Sequence, residues 1–211
     1  MVRIILVRHG ETDWNTQQVF RGRVDVPLNK VGLAQAEAVG SSLHDSDIGA
    51  LYSSPLSRAL DTAHLLTKGR NIEIAREESF IDIDFGAWQG LSFQKVKGEN
   101  TDLYTTWLRA PHKVTFPGGE SLEDVNVRCT NALVKIVENN PGRTVAIVSH
   151  RVVNKVLLCS VIGLDLSHFW YIRQDTCAVN SFEYNDCNYY LTLLNDTCHL
   201  KGVKGASVVD F

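Results

Sequence analysis

The chain has 211 residues, of which 44% are hydrophobic and 21% charged, and its formal net charge is −3. That length suits one domain with a substantial core, or one domain carrying a small cap. The mildly acidic balance argues against a general surface for nucleic acid or anionic membrane, so any affinity for anions must be local.

Ile4 to Val7 is an unbroken aliphatic run that predicts a buried strand, and it stops at Arg8-His9-Gly10. Residues 14–24 are polar and predict a loop with a short helical piece. Asn29 is placed to cap a helix from about Lys30 to Leu43, with Val31, Ala34, Ala38 and Leu43 facing inward. Ile48 to Ser53 predicts a second strand. Pro55 then suits the first turn of a helix over roughly Leu56 to Thr67, with Leu56, Ala59, Leu60, Ala63 and Leu66 inside. A short strand at about Glu73 to Ala75 and an extended segment from Phe80 to Asp84 follow. Beyond Gly86 the periodicity weakens and Pro111 and Pro117 interrupt it, so short helices forming a cap-like insertion over about 86–120 are expected.

Ser121-Leu122-Glu123-Asp124 has the form of a capping box with Asp as its acidic member. The helix it opens turns Val125, Cys129, Ala132, Leu133 and Ile136 inward and ends at Asn140-Pro141-Gly142. Thr144 to Ser149 predicts another central strand, closing on His150, and a helix over about Val152 to Ile162 comes next. Ala178 to Tyr184 and Tyr189 to Leu194 predict a hairpin around Asp186-Cys187-Asn188, an edge open to homodimer pairing. Strands alternating with helices predict an α/β fold: a three-layer α/β/α sandwich with a mostly parallel central sheet, one domain over 1–211. No stretch reaches the length of a transmembrane helix, and the N-terminal apolar run is too short for a signal peptide. The five cysteines form no Cys-x-x-Cys pair and are odd in number, so reduced thiols in a cytoplasmic protein are expected.

Two aliphatic strands thus end in histidines, His9 and His150. As neighbours in one sheet they would meet in the crevice beyond the strands' carboxyl ends, where ligands of open α/β sheets bind. Arg8, His9, Gly10 and nearby Asn15 form a compact set of anion-binding groups. None of the seven histidines forms His-Glu-x-x-His or a comparable ligand cluster, so no metal and no cofactor is expected; His112, His168 and His199 are read as surface or supporting residues.

Leu6-Val7-Arg8-His9-Gly10-Glu11-Thr12 resembles the signature of the histidine phosphatase superfamily, the phosphoglycerate-mutase-like enzymes. The resemblance continues in the family's order through Asp25-Val26-Pro27-Leu28, Tyr52 to Ala59, Asp84 to Gly90, Pro117-Gly118-Gly119-Glu120-Ser121 and Val148-Ser149-His150. It implies that His9 is the nucleophile, forming a phosphohistidine, and that Arg8, Arg58, His150 and Asn15 cradle the phosphate. Phosphoryl transfer asks independently for such groups, because charge must be compensated on the nonbridging oxygens around an in-line nucleophile. Taken alone, Arg58 would read as a solvated helix residue and His150 as a hydrogen-bonded strand end; the flanking motifs reverse both readings. The family's proton donor is a Glu two residues before the Asp of Asp-Phe-Gly-x-Trp. Asp82 stands there, shorter by one methylene, with Asp84 as the second candidate. Arg21 replaces a neutral residue before Gly22, and Arg151 replaces a frequent Gly. Either reads as surface charge, with the sharper alternative for Arg21 that it adds a cation near a substrate carboxylate or phosphate.

The compact span from Asp82 to His150 looks more like the phosphatase branch than the longer mutases. Arg109 to Val114, Asp165 to Trp170 and Thr197 to Leu200 resemble bacterial metal-independent phosphoserine phosphatases. Those tend to carry a substrate-selecting histidine where this chain has Phe85. The resemblance implies a metal-independent phosphatase of a small phosphorylated metabolite, phosphoserine first. An α-ribazole 5'-phosphate phosphatase, whose bulky nucleoside could use Phe85, Trp88 or Trp107 as apolar walls, comes next, then a phosphoglycerate mutase. A phosphate-ester-binding module without turnover is the reading from another class.

Overall fold

The computed structural model describes residues 1–205, so the last six residues of the expected 1–211 domain lie outside the described residues. Strand β1 (Val2–Arg8) is buried on both faces, as its continuous aliphatic run requires. It leads into a one-turn helix, α1 (Asp13–Thr16), and then α2 (Lys30–Ser42), β2 (Ile48–Ser53), α3 (Ser57–Leu66) and β3 (Ile74–Arg76). Short helices α4 (Phe93–Glu99) and α5 (Thr101–Arg109) fill the expected cap region. They are followed by α6 (Leu122–Asn139), β4 (Thr144–Ser149), α7 (Arg151–Val161) and the hairpin β5 (Val179–Asn185) and β6 (Asn188–Asp196).

The six strands form one sheet in the order β3-β2-β4-β1-β5-β6. Its first four strands are parallel, β5 pairs antiparallel with β1, and β6 pairs antiparallel with β5. Successive residues of β1 face opposite sides of the sheet. Ile4 and Leu6 join a cluster with α6, α7 and the aromatic residues of the cap, and Ile5 and Val7 join one with α2 and α3. Helices therefore cover both faces of a mostly parallel sheet. β1 and β4 are neighbours with Arg8 opposite Ser149, so the two histidines that follow them emerge side by side.

Local chemistry explains most boundaries. Asn29 caps α2 by accepting from Gly32 N at 2.8 Å, and Ser121 and Asp124 close a reciprocal capping box on α6. Pro55 lies outside α3, whose N-cap is Leu56. The segment expected to be extended from Phe80 begins as a 3-10 turn over Glu78–Phe80, because the Glu77 carboxylate accepts from Ser79 N. The hairpin closes on two residues, Asp186 and Cys187, both at positive φ (49° and 63°), the signature of a type I′ turn. Among the described residues no helix is long and apolar enough to cross a membrane. All five cysteines are free thiols, with Cys129, Cys159 and Cys177 buried.

The inward face of α2 differs from expectation. Ala34 is exposed, and the buried residues are Gly32, Gln35, Ala36, Val39 and Gly40. The reason is close backbone packing. A Cβ on Gly32 would stand 2.0 Å from Glu11 O, and one on Gly40 would stand 2.5 Å from Leu65 O. Counting apolar side chains cannot find a face whose fit depends on their absence. Gly32→Ala is expected to destabilise the chain by about 1–3 kcal/mol through overpacking. Gly98→Ala, in α4 where an added Cβ would meet nothing within 4 Å, should stabilise it by about 0.4–1 kcal/mol. Urea unfolding of both variants checks this, and a Gly32→Ala protein as stable as wild type would refute the packing argument.

Candidate active site

His9 follows β1 and His150 is the N-cap of α7; both are fully buried, with ring centroids 5.2 Å apart. His9 Nδ1 lies 2.6 Å from Gly10 O. A carbonyl oxygen can only accept, so Nδ1 carries the hydrogen and the lone pair belongs to Nε2. Nε2 makes no hydrogen bond among the described residues. Burial, followed by the charges of Arg58, Arg8 and Arg21, holds His9 well below the usual imidazole range, so the ring is neutral and Nε2 is nucleophilic. His150 is held down in the same way by burial and then Arg58. Its Nε2 meets Ser54 Oγ at 2.7 Å and its Nδ1 lies 3.7 Å from Asp82 Oδ2.

The guanidinium groups are gripped chiefly by main-chain carbonyls. Arg58 donates to Gly22 O at 2.8 Å and Val24 O at 2.9 Å, and reaches Asp82 Oδ2 at 3.2 Å. Arg8 donates to Gln174 O at 2.5 Å, and the Gln174 side chain is itself fixed by Asn180 at 2.8 Å. Thr62 of α3 ties the turn after Arg8 to the helix that carries Arg58, its hydroxyl accepting from Gly10 N and donating to Arg58 O. Asn15 is buried, and its amide oxygen accepts from Thr12 N and Oγ at 2.9 Å.

Asp82 is 5% exposed and turned into the crevice between Arg58 and His150. Its segment is pinned by Arg128, which donates to Ser79 O at 2.6 Å, Ile81 O at 2.7 Å and Asp82 O at 3.3 Å. Arg128 in turn makes a two-pronged ion pair with Glu120 at 3.0 Å, and Glu120 also accepts from Asp84 N. Asp84 caps Gly86 N at 2.8 Å and is 3.8 Å from Arg23, outside the crevice. A side chain shorter by one methylene thus still reaches Arg58 because its backbone is held in place.

Arg21 and Arg151 are 6% and 7% exposed, which removes the surface-charge reading for both. Burial and then the neighbouring charges of Arg8 and Arg58 push Arg21 well below the ordinary guanidinium range. Gly22 contributes through its backbone: at φ +53° it offers its carbonyl to Arg58, and a Cβ there would stand 2.9 Å from Ile83 O. Phe85 departs from the expected substrate wall. Its ring is 4% exposed and packs edge-on against Phe20, Phe116 and Trp107, so its area is used in the aromatic core of the cap. A separate cavity of about 190 Å³ is lined by Phe20, Phe93, Tyr104, Trp107, Leu108, Trp170 and Arg151.

Sequence reasoning missed Arg128, although it stands three residues after Val125 and hence on the inner side of α6. It missed Lys155, fully buried on α7, where a lysine in an apolar run was the available signal. Ser54 and Gln174 carried none. Among the described residues no group of three His, Cys, Asp or Glu side chains could hold a metal ion.

A family model of the histidine phosphatase superfamily, branch 1, matches residues 4–197, and the chain belongs to that superfamily as a phosphatase. It is 34% identical over 200 residues to Phosphoserine phosphatase 1 of Hydrogenobacter thermophilus, the match covering 95% of each chain. Among solved structures, YhfR of Bacillus stearothermophilus is similar with a TM-score of 0.92 at 30% identity, covering 95% of this chain and 100% of that one. The α-ribazole phosphatase from Shigella flexneri is similar with a TM-score of 0.85 at 25% identity, covering 92% and 96%.

Of the three histidines held below the usual range by burial, the fully buried His9 and His150 outweigh the half-buried His199 and dominate the pH dependence. Each is neutral when folded, and its unfolded counterpart binds a proton below about pH 6.5. Unfolding therefore takes up protons there, and stability is lost as pH falls from about 6.5 toward the lowered folded values. With both histidines contributing, the slope approaches about 2.7 kcal/mol per pH unit. His9→Gln should roughly halve it. Denaturant titrations between pH 4.5 and 8 measure this, and a flat profile would mean the histidines are charged in the folded chain.

Proposed function

We propose that this phosphatase hydrolyses the phosphomonoester of a small metabolite through a phosphohistidine at His9, without a metal ion, with phosphoserine as the first candidate substrate. The observation that carries the reading is the forced tautomer of His9, which aims an unbonded Nε2 lone pair into a crevice of buried guanidinium groups. Arg8, Arg58, His150 and the Asn15 amide hold the phosphate oxygens, and fixed donors of this kind stabilise charge without reorganising during the reaction. Arg21, beside Gly22, adds a further cation at the rim of this set.

In the first step Nε2 bonds to phosphorus while the P–O bond to the alcohol breaks, and Asp82 gives its proton to the leaving oxygen. In the second, water attacks phosphorus as the P–N bond breaks, and Asp82 takes the water proton. Inorganic phosphate and neutral His9 result. Similarity to a protein named as a phosphoserine phosphatase supports the substrate. A second reading, an α-ribazole 5'-phosphate phosphatase, is favoured by the aromatic cavity and by the similarity to the Shigella flexneri structure.

Phosphate release from phosphoserine, α-ribazole 5'-phosphate and 3-phosphoglycerate, measured in EDTA, tests the reading. Turnover should survive the chelator and fall by about 10⁴-fold or more in His9→Ala, by analogy with losing other covalent nucleophiles. Asp82→Asn should lower kcat by about 10²–10⁴-fold while single turnovers quenched in alkaline detergent, where the P–N bond survives, still trap labelled His9. Release that is indifferent to His9→Ala would sink the covalent route.

A further inference from the structure

Both histidines of the crevice are neutral, and a neutral imidazole has one N–H and one lone pair. Which of the two faces an incoming phosphate decides what the ring can do there. A lone pair attacks phosphorus or repels its oxygens, whereas an N–H binds them. For His9 the carbonyl of Gly10 decides. For His150 the deciding neighbour is the Ser54 hydroxyl, which can donate or accept, so the tautomer follows from what else that hydroxyl can do.

Ser54 is fully buried where the chain leaves β2 beside the end of β4. Its N–H donates to Val148 O at 3.0 Å and its carbonyl accepts from Ser53 Oγ at 3.0 Å, so the backbone carrying the hydroxyl is fixed. The hydroxyl accepts from Leu56 N at 3.4 Å and stands 2.7 Å from His150 Nε2. Among the described residues, Nε2 is the one acceptor it reaches. Were the hydrogen on Nε2, the hydroxyl would accept twice and bury its own hydrogen without a partner, which is costly. A bare Nδ1 would also set its lone pair against Asp82 Oδ2, 3.7 Å away. With the hydroxyl donating to Nε2, both conflicts vanish and the hydrogen lies on Nδ1. That nitrogen makes no hydrogen bond among the described residues.

We propose that Ser54 is a positioning residue that holds His150 as a hydrogen-bond donor, so that of two adjacent neutral histidines only His9 turns a lone pair on the ester. The inference rests on the phosphatase reading and adds to it how the two rings divide their roles. Both are the same tautomer used in opposite senses. His9 gives Nδ1–H to Gly10 O and keeps Nε2 for phosphorus; His150 gives its Nε2 lone pair to Ser54 and keeps Nδ1–H for a phosphate oxygen. Such a donor binds the anion without the buried ring having to gain a proton.

Proton–nitrogen correlation spectra of ring-labelled histidines, taken without ligand at a pH where both rings are neutral, show which nitrogen bears the hydrogen; His150→Gln assigns the signals. Wild-type His150 should carry it on Nδ1. In Ser54→Ala part or all of it should move to Nε2, and inorganic phosphate should bind about tenfold more weakly, as loss of one donor to an anion implies. Ser54→Thr, which keeps the hydroxyl, should restore both. Hydrogen on Nε2 in the wild type, or a Ser54→Ala protein in which either the tautomer or the phosphate affinity is unmoved, overturns the proposal. If neither variant gives a cooperative thermal transition, titrating the wild type with phosphate decides: the His150 Nδ1–H signal should move downfield as it meets the anion, and an unmoved signal overturns the proposal. The spectra need no turnover. A His150 donor in a chain that releases no phosphate would refute the phosphatase reading alone, and turnover with a bare His150 Nδ1 would refute the role of Ser54 alone.

Discussion

The arrangement depends on how buried positive charge is held. A guanidinium paired with a carboxylate loses most of its field, whereas one gripped by carbonyl oxygens is hydrogen-bonded and still charged. Arg58 rests on Gly22 O and Val24 O, and Arg8 on Gln174 O. These dipoles satisfy donor geometry, and the Asp82 carboxylate 3.2 Å from Arg58 offsets part of its charge. Burial first, and the guanidinium charges second, hold His9 and His150 below the usual imidazole range, so the proposed anion site and the protonation state of the proposed nucleophile share their causes.

Holding several like charges close together requires a stiff frame. β1 and β4 provide it through their parallel ladder, and each loop beyond them is tied down by contacts that leave no slack. Gly10 stacks on Gly32 so tightly that a Cβ on either would strike backbone. Across the crevice, Gly119 approaches Asp84 O and Gly86 approaches Pro117 O at similarly short range, while Arg128 and Glu120 fasten the segment bearing Asp82. The Pro-Gly-Gly-Glu-Ser motif thus acts on the chemistry at one remove, by positioning backbone.

The frame and the candidate nucleophile are legible in the chain because they are written in local signals. Aliphatic runs mark β1 and β4, caps mark α2 and α6, and ordered motifs bring His9, Arg8, Arg58 and His150 together. What escapes a linear reading is written in tertiary context. The face of α2 is defined by glycines and by Gln35, whose amide oxygen receives Glu11 N, and hydrophobic spacing is blind to both. Arg128 and Lys155 look like ordinary helix charges until their surroundings are seen. Phe85 reads as a substrate wall on the strength of one position, but its ring belongs to an aromatic cluster assembled from distant segments.

The buried thiols carry a consequence for redox chemistry. Cys177 N donates to the carbonyl of His9, so a modification there would act directly on the nucleophile's support. Thiolate is the reactive form, and burial pushes the Cys177 thiol far up and that of Cys129 to about 12. Both remain protonated and shielded. Oxidants and alkylating reagents meet Cys187 at the hairpin turn and Cys198 at the surface, and the catalytic crevice is insulated from thiol chemistry by the same exclusion of water that keeps its histidines uncharged.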